Sequence, residues 1–137
     1  MNLSDYRNIK IAFFDIDGTM IDIGSRKITP KMLETLSGLQ KNGIRICIAT
    51  GRPPAILPQF PGIEFDAYLT FNASYCYTKN EVIFRNPIPA ADVQTVIRNA
   101  SKIQRPLALA GASRMGANGS DKDLADYFAI SRHKLEI

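Results

Sequence analysis

The sequence predicts an α/β fold: a parallel-sheet core in the first part of the chain, followed by a smaller α+β piece. Two observations predict it. The short β-branched runs Ile9 to Phe14 (IKIAFF) and Ile44 to Ile48 (IRICI) flank a stretch of helical periodicity. Strand, helix and strand in that order form a βαβ unit, whose crossover is right-handed. Near residue 73 the texture changes to a hairpin, a proline-marked linker and short elements. That change divides the chain into 1–72 and 73–137, although its length alone suits one domain.

The elements follow in order. Ile9 to Phe14 reads as a buried parallel strand that meets a turn at Asp17-Gly18. Thr29 supplies a helix N-cap and Pro30 the first helical residue. Leu33, Leu36 and Leu39 recur at helical spacing, and Gly43 sits where a left-handed C-cap is wanted. Ile44 to Ile48 is the second strand. Pro53, Pro54, Pro58 and Pro61 then leave room for at most a short helix. Tyr68 to Phe71 is a third strand. Tyr75 to Tyr77 and Val82 to Phe84 flank Thr78 to Glu81 as a hairpin, and Pro87 and Pro89 mark a linker. Asp92 to Ile103 is a helix carrying Val93, Val96, Ile97 and Ala100 on one face. A strand near Leu107 to Ala110, a glycine-rich loop and a helix from Asp121 to Phe128 complete the order.

Composition excludes several classes. Of 137 residues, 45% are hydrophobic and 22% charged, which is ordinary for a globular protein. The net charge of +4 comes from scattered Lys and Arg without a basic run. A mildly basic solvated surface, compatible with small phosphorylated substrates, is expected rather than a nucleic-acid face. No apolar run approaches the roughly 20 residues of a membrane span. The opening MNLSDYRNIK lacks the regions of a secretory signal, so a cytoplasmic protein is expected. Cys47, Cys76 and the lone His133 make no zinc pattern, and reduced, buried thiols are expected.

The chemistry concentrates in Asp15-Ile16-Asp17-Gly18-Thr19, at the carboxyl end of the first strand, where ligands of open α/β sheets bind. Residues two apart in extended backbone share a side, so Asp15 and Asp17 can face one reacting centre. Gly18 permits a tight turn that aims backbone N–H groups at an anion. Two neighbouring carboxylates suggest divided labour. One attacks as an anion without a separate base, while the other, disfavoured as an anion by its neighbour's charge, carries a proton for the leaving oxygen. A magnesium ion near such carboxylates would neutralise and align a transferring phosphoryl group. A bare Asp-x-Asp is more often a solvated acidic turn. Here the second strand ends in Ala49-Thr50-Gly51-Arg52, which brings a hydroxyl, a glycine backbone and a guanidinium to the same edge. With adjacent strands about 4.8 Å apart, Thr50 can reach a phosphoryl group held by Asp15.

FFDIDGTM, KITPKMLETLSGLQKNGIRICIATGRP and YLTFNASYCY together resemble the opening of a haloacid dehalogenase superfamily hydrolase. The similarity is greatest to the Cof-type sugar-phosphatase branch, whose cap is inserted after the third strand. It implies a Rossmann-like core over 1–72 and an incomplete α+β cap over 73–137. By the same resemblance Asp15 is the nucleophile that forms an aspartyl-phosphate, and Asp17 is the general acid/base. Asp15 through its side chain and Asp17 through its carbonyl would bind Mg2+. Thr50 would hold the phosphoryl group, with Gly51 and Arg52 beside it, and Asn72 matches an asparagine that approaches the substrate. Ala73 stands where the family has glycine, so that turn is expected to be altered.

The family's third motif, a lysine, and its fourth, an acidic GDxxxD-like run, fall after the cap and are not found in these 137 residues. Gly119-Ser120-Asp121-Lys122-Asp123 is no substitute: it reads as a helix start with Ser120 as N-cap and acidic residues in the first turn. Gly111, Gly116 and Gly119 lack the Lys-Ser/Thr ending of a P-loop. The expectation is therefore a truncated phosphatase without turnover of its own. Its first strand would present an open edge bordered by Ile11 and Phe13, and self-association there is expected. The rivals are a non-catalytic remnant that binds a phosphorylated ligand or a complementary C-terminal piece, a phosphomutase of the same superfamily, and a receiver-like domain. A receiver places its acceptor aspartate at the third strand, where this chain has Phe71-Asn72.

Overall fold

The computed structural model describes residues 8–22, 24, 25 and 27–131. His133 and most of the polar opening segment lie outside them. Two compact units emerge, one formed by residues 1–52 with 58–85 and the other by 53–57 with 86–137. No helix among the described residues is long and apolar enough to cross a membrane.

The first unit is a sheet of five strands in the order β1 (Ile11–Phe14), β2 (Arg45–Ala49), β3 (Ala67–Thr70), β4 (Tyr75–Tyr77) and β5 (Val82–Arg85). β1, β2 and β3 are parallel, while β4 and β5 add antiparallel. Between β1 and β2 runs α1 (Pro30–Lys41), which begins as its sequence dictates. The Thr29 hydroxyl accepts a bond from the Met32 N–H at 3.2 Å, and Pro30 follows at the first helical position. At the other end Lys41 faces the negative pole of the helix, and the chain leaves through Gly43 at φ 75°. α1 packs against β2, and Leu36, Ile46, Cys47 and Ile48 are all within about 1% of complete burial. Each fully buried isoleucine or leucine contributes about 1.5–3 kcal/mol.

Two readings of this unit are corrected. Ile9 to Phe14 is not a buried strand: β1 is an edge, with Ile11 44% and Phe13 54% exposed. The third strand stops at Thr70, because Phe71 has already turned to φ 51°. The hairpin pairs with this sheet through β4 against β3. Tyr68, Leu69 and Thr70 pair with Tyr77, Cys76 and Tyr75, so the compact units part after Arg85. The Tyr68 and Tyr77 rings stack across this seam with centroids 5.0 Å apart and planes 9° from parallel. Thr78 closes the hairpin turn: its N–H donates to the Glu81 carbonyl at 2.8 Å, and its hydroxyl accepts from Asn80 and Glu81.

The second unit holds α2 (Ala90–Lys102), the antiparallel pair β6 (Ala108–Ala110) and β7 (Met115–Ala117), and α3 (Lys122–Ser131). β7 replaces part of the expected glycine-rich loop. Asn118 locks the pair, accepting from the Leu107 N–H at 2.8 Å through its side chain and donating its own N–H to the Leu107 carbonyl at 3.1 Å. The cap of α3 is Asp121 rather than Ser120, with the Asp121 carboxylate accepting from the Leu124 N–H at 2.8 Å. Arg105 bridges Asp121 at 3.3 Å and Asp123 at 2.6 Å, so the acidic run serves the start of a helix.

Candidate active site

The carboxyl ends of β1, β2 and β3 meet around one open cleft of about 220 Å³, lined by Asp15, Ala49, Thr50, Gly51, Leu69, Asn72 and Ala73. Ligand pockets for drug-sized molecules run to roughly 300–1,000 Å³, so this one is sized for a smaller ligand.

β1 delivers the acidic wall. Ile16 is completely buried while its neighbours Asp15 and Asp17 are exposed, the alternation that extended backbone imposes. The turn is held by the Ile16 carbonyl, which accepts from the Met20 and Ile21 N–H groups at 3.1 and 2.9 Å. Gly18 closes it, donating to the Ile21 carbonyl at 2.8 Å with φ at 84°, a conformation that a β-carbon would oppose.

β2 delivers Thr50, only 6% exposed. Its N–H donates to the Leu69 carbonyl at 2.9 Å and its carbonyl accepts from the Asn72 N–H at 3.0 Å, which ties it to the end of β3. The Thr50 hydroxyl accepts from the Arg52 N–H at 3.2 Å; a hydroxyl used this way keeps its O–H for donation. Gly51 is needed for space, because a β-carbon there would lie 3.1 Å from the Asn72 side-chain oxygen.

β3 ends in three successive left-handed residues, Phe71, Asn72 and Ala73, at φ 51°, 53° and 68°. The turn expected to be altered by Ala73 is therefore formed, at the cost of holding an alanine where glycine is at ease.

Asp17 and Arg52 stand outside the cleft lining and hold each other. The Arg52 Nε and terminal nitrogen donate to the two Asp17 carboxylate oxygens at 2.8 and 2.7 Å, a bidentate fork. That hydrogen bond pushes the Arg52 guanidinium above its ordinary value; burial opposes the rise, and the charges of Asp17 and Asp15 add to it. Asp15, Thr50, Gly51 and Asn72 thus come together in the cleft, while Asp17 and Arg52 form a pair beside it. Ala49 and Leu69, which supply apolar wall, carry no chemical signal; only their places at strand ends could have marked them.

A model of the haloacid dehalogenase-like hydrolases matches residues 12–136, nearly the whole chain. The chain belongs to the haloacid dehalogenase-like hydrolase family. YkrA of Bacillus subtilis, provisionally named a phosphatase, is 28% identical over 113 residues, covering 82% of this chain and 44% of YkrA. A hypothetical protein from Geobacillus kaustophilus superposes with a TM-score of 0.81 at 27% identity, over 94% of this chain and 51% of its own. The subclass IIB sugar phosphatase BT4131 of the same superfamily superposes with a TM-score of 0.76 at 26% identity, over 93% and 51%. The chain spans about half the length of these relatives.

Membership in the haloacid dehalogenase-like family raises the question of a metal. No cluster of three or more His, Cys, Asp or Glu side chains among the described residues could hold one. The atoms that the resemblance assigns to magnesium are the Asp15 carboxylate and the Asp17 backbone carbonyl, which follow β1 in the chain. Hard oxygen donors of this kind fit a magnesium ion that keeps much of its water.

Proposed function

We propose that this chain is the nucleophile-bearing part of a magnesium-dependent phosphatase acting on a small phosphorylated metabolite, with a sugar phosphate as the favoured class. The observation that carries the reading is that Asp15 and Thr50 line one small cleft. Core and cap are assigned to 1–72 and 73–137, and the compartment to the cytoplasm.

In this mechanism an Asp15 carboxylate oxygen attacks phosphorus. The new Asp15 O–P bond forms as the ester P–O bond breaks, and the departing oxygen takes a proton from Asp17. Water then attacks the aspartyl-phosphate phosphorus, giving its proton to Asp17 and releasing inorganic phosphate and free Asp15. The Thr50 hydroxyl donates to a phosphoryl oxygen in both steps. The Asp15 side chain and Asp17 carbonyl would hold Mg2+, which supplies charge neutralisation. Losing one donor to a transferring group typically costs about 10²–10³ in rate. Without a motif lysine and a further acidic ligand, these 137 residues alone are expected to show negligible turnover of sugar phosphates.

Binding therefore tests the reading better than turnover. Fluoroberyllate with magnesium mimics a phosphorylated aspartate, and 19F NMR of the intact chain should show a bound signal that Asp15→Asn abolishes. Absence of a bound signal, or its survival in Asp15→Asn, contradicts the reading.

A further inference from the structure

Arg52 makes contacts in three directions. Its N–H donates to the Thr50 hydroxyl at 3.2 Å, its carbonyl accepts from the Phe71 N–H at 3.2 Å, and its guanidinium grips both oxygens of Asp17. One residue thus touches the ends of β1, β2 and β3. Its side chain is 22% exposed, that of Asp17 is 52% exposed, and neither residue lines the cleft. A guanidinium that were itself the anion ligand would be expected among the lining groups. Instead its fork is aimed at a carboxylate next to the cleft, whose negative charge would otherwise repel an incoming phosphate.

We propose that Arg52 is a positioning residue: it acts through Asp17, fixing that carboxylate and offsetting its charge, rather than by binding the phosphoryl group. The proposal rests on reading the cleft as a phosphate site. A bidentate fork fixes the plane of the carboxylate as well as its distance, which a lysine ammonium, a point charge, does not. An alanine at 52 keeps both backbone bonds and removes the side chain together with its fork, so the Asp17→Asn background is needed to single out the part that runs through Asp17.

The test is a titration of the intact 15N-labelled chain with orthophosphate, followed by NMR. Arg52→Ala should weaken phosphate binding about fivefold, the upper end of the scale of a partly exposed charge pair. In the Asp17→Asn background the same change should cost less than about twofold, because coupled residues are not additive. Arg52→Lys should recover less than half of the loss. In the unsubstituted chain, phosphate should move the Thr50 and Asn72 amide signals and leave the Arg52 Nε–H signal in place, whereas Asp17→Asn should shift it. An equal Arg52→Ala penalty in both backgrounds, or a phosphate-induced Nε–H shift as large as that from Asp17→Asn, would overturn the proposal and make Arg52 a direct ligand. If phosphate moves no signal in any variant, the phosphate reading fails. The Arg52 Nε–H response to Asp17→Asn then decides the clamp, and its absence refutes it.

Discussion

β1 and β2 each bring one wall to the same cleft, yet they meet water in opposite ways. β2 is flanked by β1 and β3, and Ile46, Cys47 and Ile48 are essentially buried. β1 is paired on one side, and Ile11 and Phe13 are about half exposed. Thr50 therefore follows the most buried strand of the sheet and Asp15 follows an edge strand. The difference shows how a catalytic position can be set without burying its own strand. Asp15 is placed by the register Phe14↔Ile48, by the buried Ile16 and by the turn through Gly18, all of which lie toward the β2 side or beyond the strand end.

The largest expected effect comes from the contrast in burial. Ile48→Ala should cost about 2–5 kcal/mol in urea denaturation, as large-to-small changes in a core do, while Phe13→Ala should stay near 0.5 kcal/mol. Equal costs would break the comparison. Next, Thr50→Val should weaken orthophosphate binding about tenfold by calorimetry through loss of a charge-assisted donor, and Thr50→Ser should keep most of it. A Thr50→Val chain with full affinity would separate β2 from the site.

The open edge carries a smaller effect. We expect self-association through β1, and Phe13→Lys should weaken it about fivefold in sedimentation equilibrium, since charge on an edge discourages pairing. Unchanged association would move the contact elsewhere. Smallest is Ala73→Gly. Relief of a left-handed alanine should raise stability by about 0.5–1 kcal/mol, read from the denaturation midpoint at unchanged slope. A loss of stability would show that the freedom glycine gains on unfolding outweighs the strain at φ 68°.

The parallel βαβ start was legible because its signals are local: Thr29 and Pro30 begin a helix wherever they lie, and Leu36 recurs at the helical period. The positions of Asp15 and Thr50 at adjacent strand ends followed from strand spacing alone. Pairing at a distance was harder to read. A β-branched run looks the same with one neighbour or two, so Ile11 and Phe13 by themselves read as a buried strand; their open edge followed only from the family resemblance. Nor did Tyr75-Cys76-Tyr77 reveal that it pairs with β3; that depends on the left-handed run Phe71-Asn72-Ala73, which turns the chain straight back. β7 was hidden because Gly116 breaks the pattern of a three-residue strand held by the Asn118 side chain. The fork between Arg52 and Asp17 joins residues of two strands through long side chains, whose direction no spacing rule supplies.

The account stands on Asp15 and Thr50 gripping one phosphoryl group from different strands. A crystal structure of the chain with magnesium and fluoroberyllate tests this directly. It should place beryllium on an Asp15 carboxylate oxygen and the Thr50 hydroxyl about 2.7–3.0 Å from a fluoride, the length of a strong hydrogen bond. Beryllium on Asp15 with the Thr50 hydroxyl turned to another partner would contradict it.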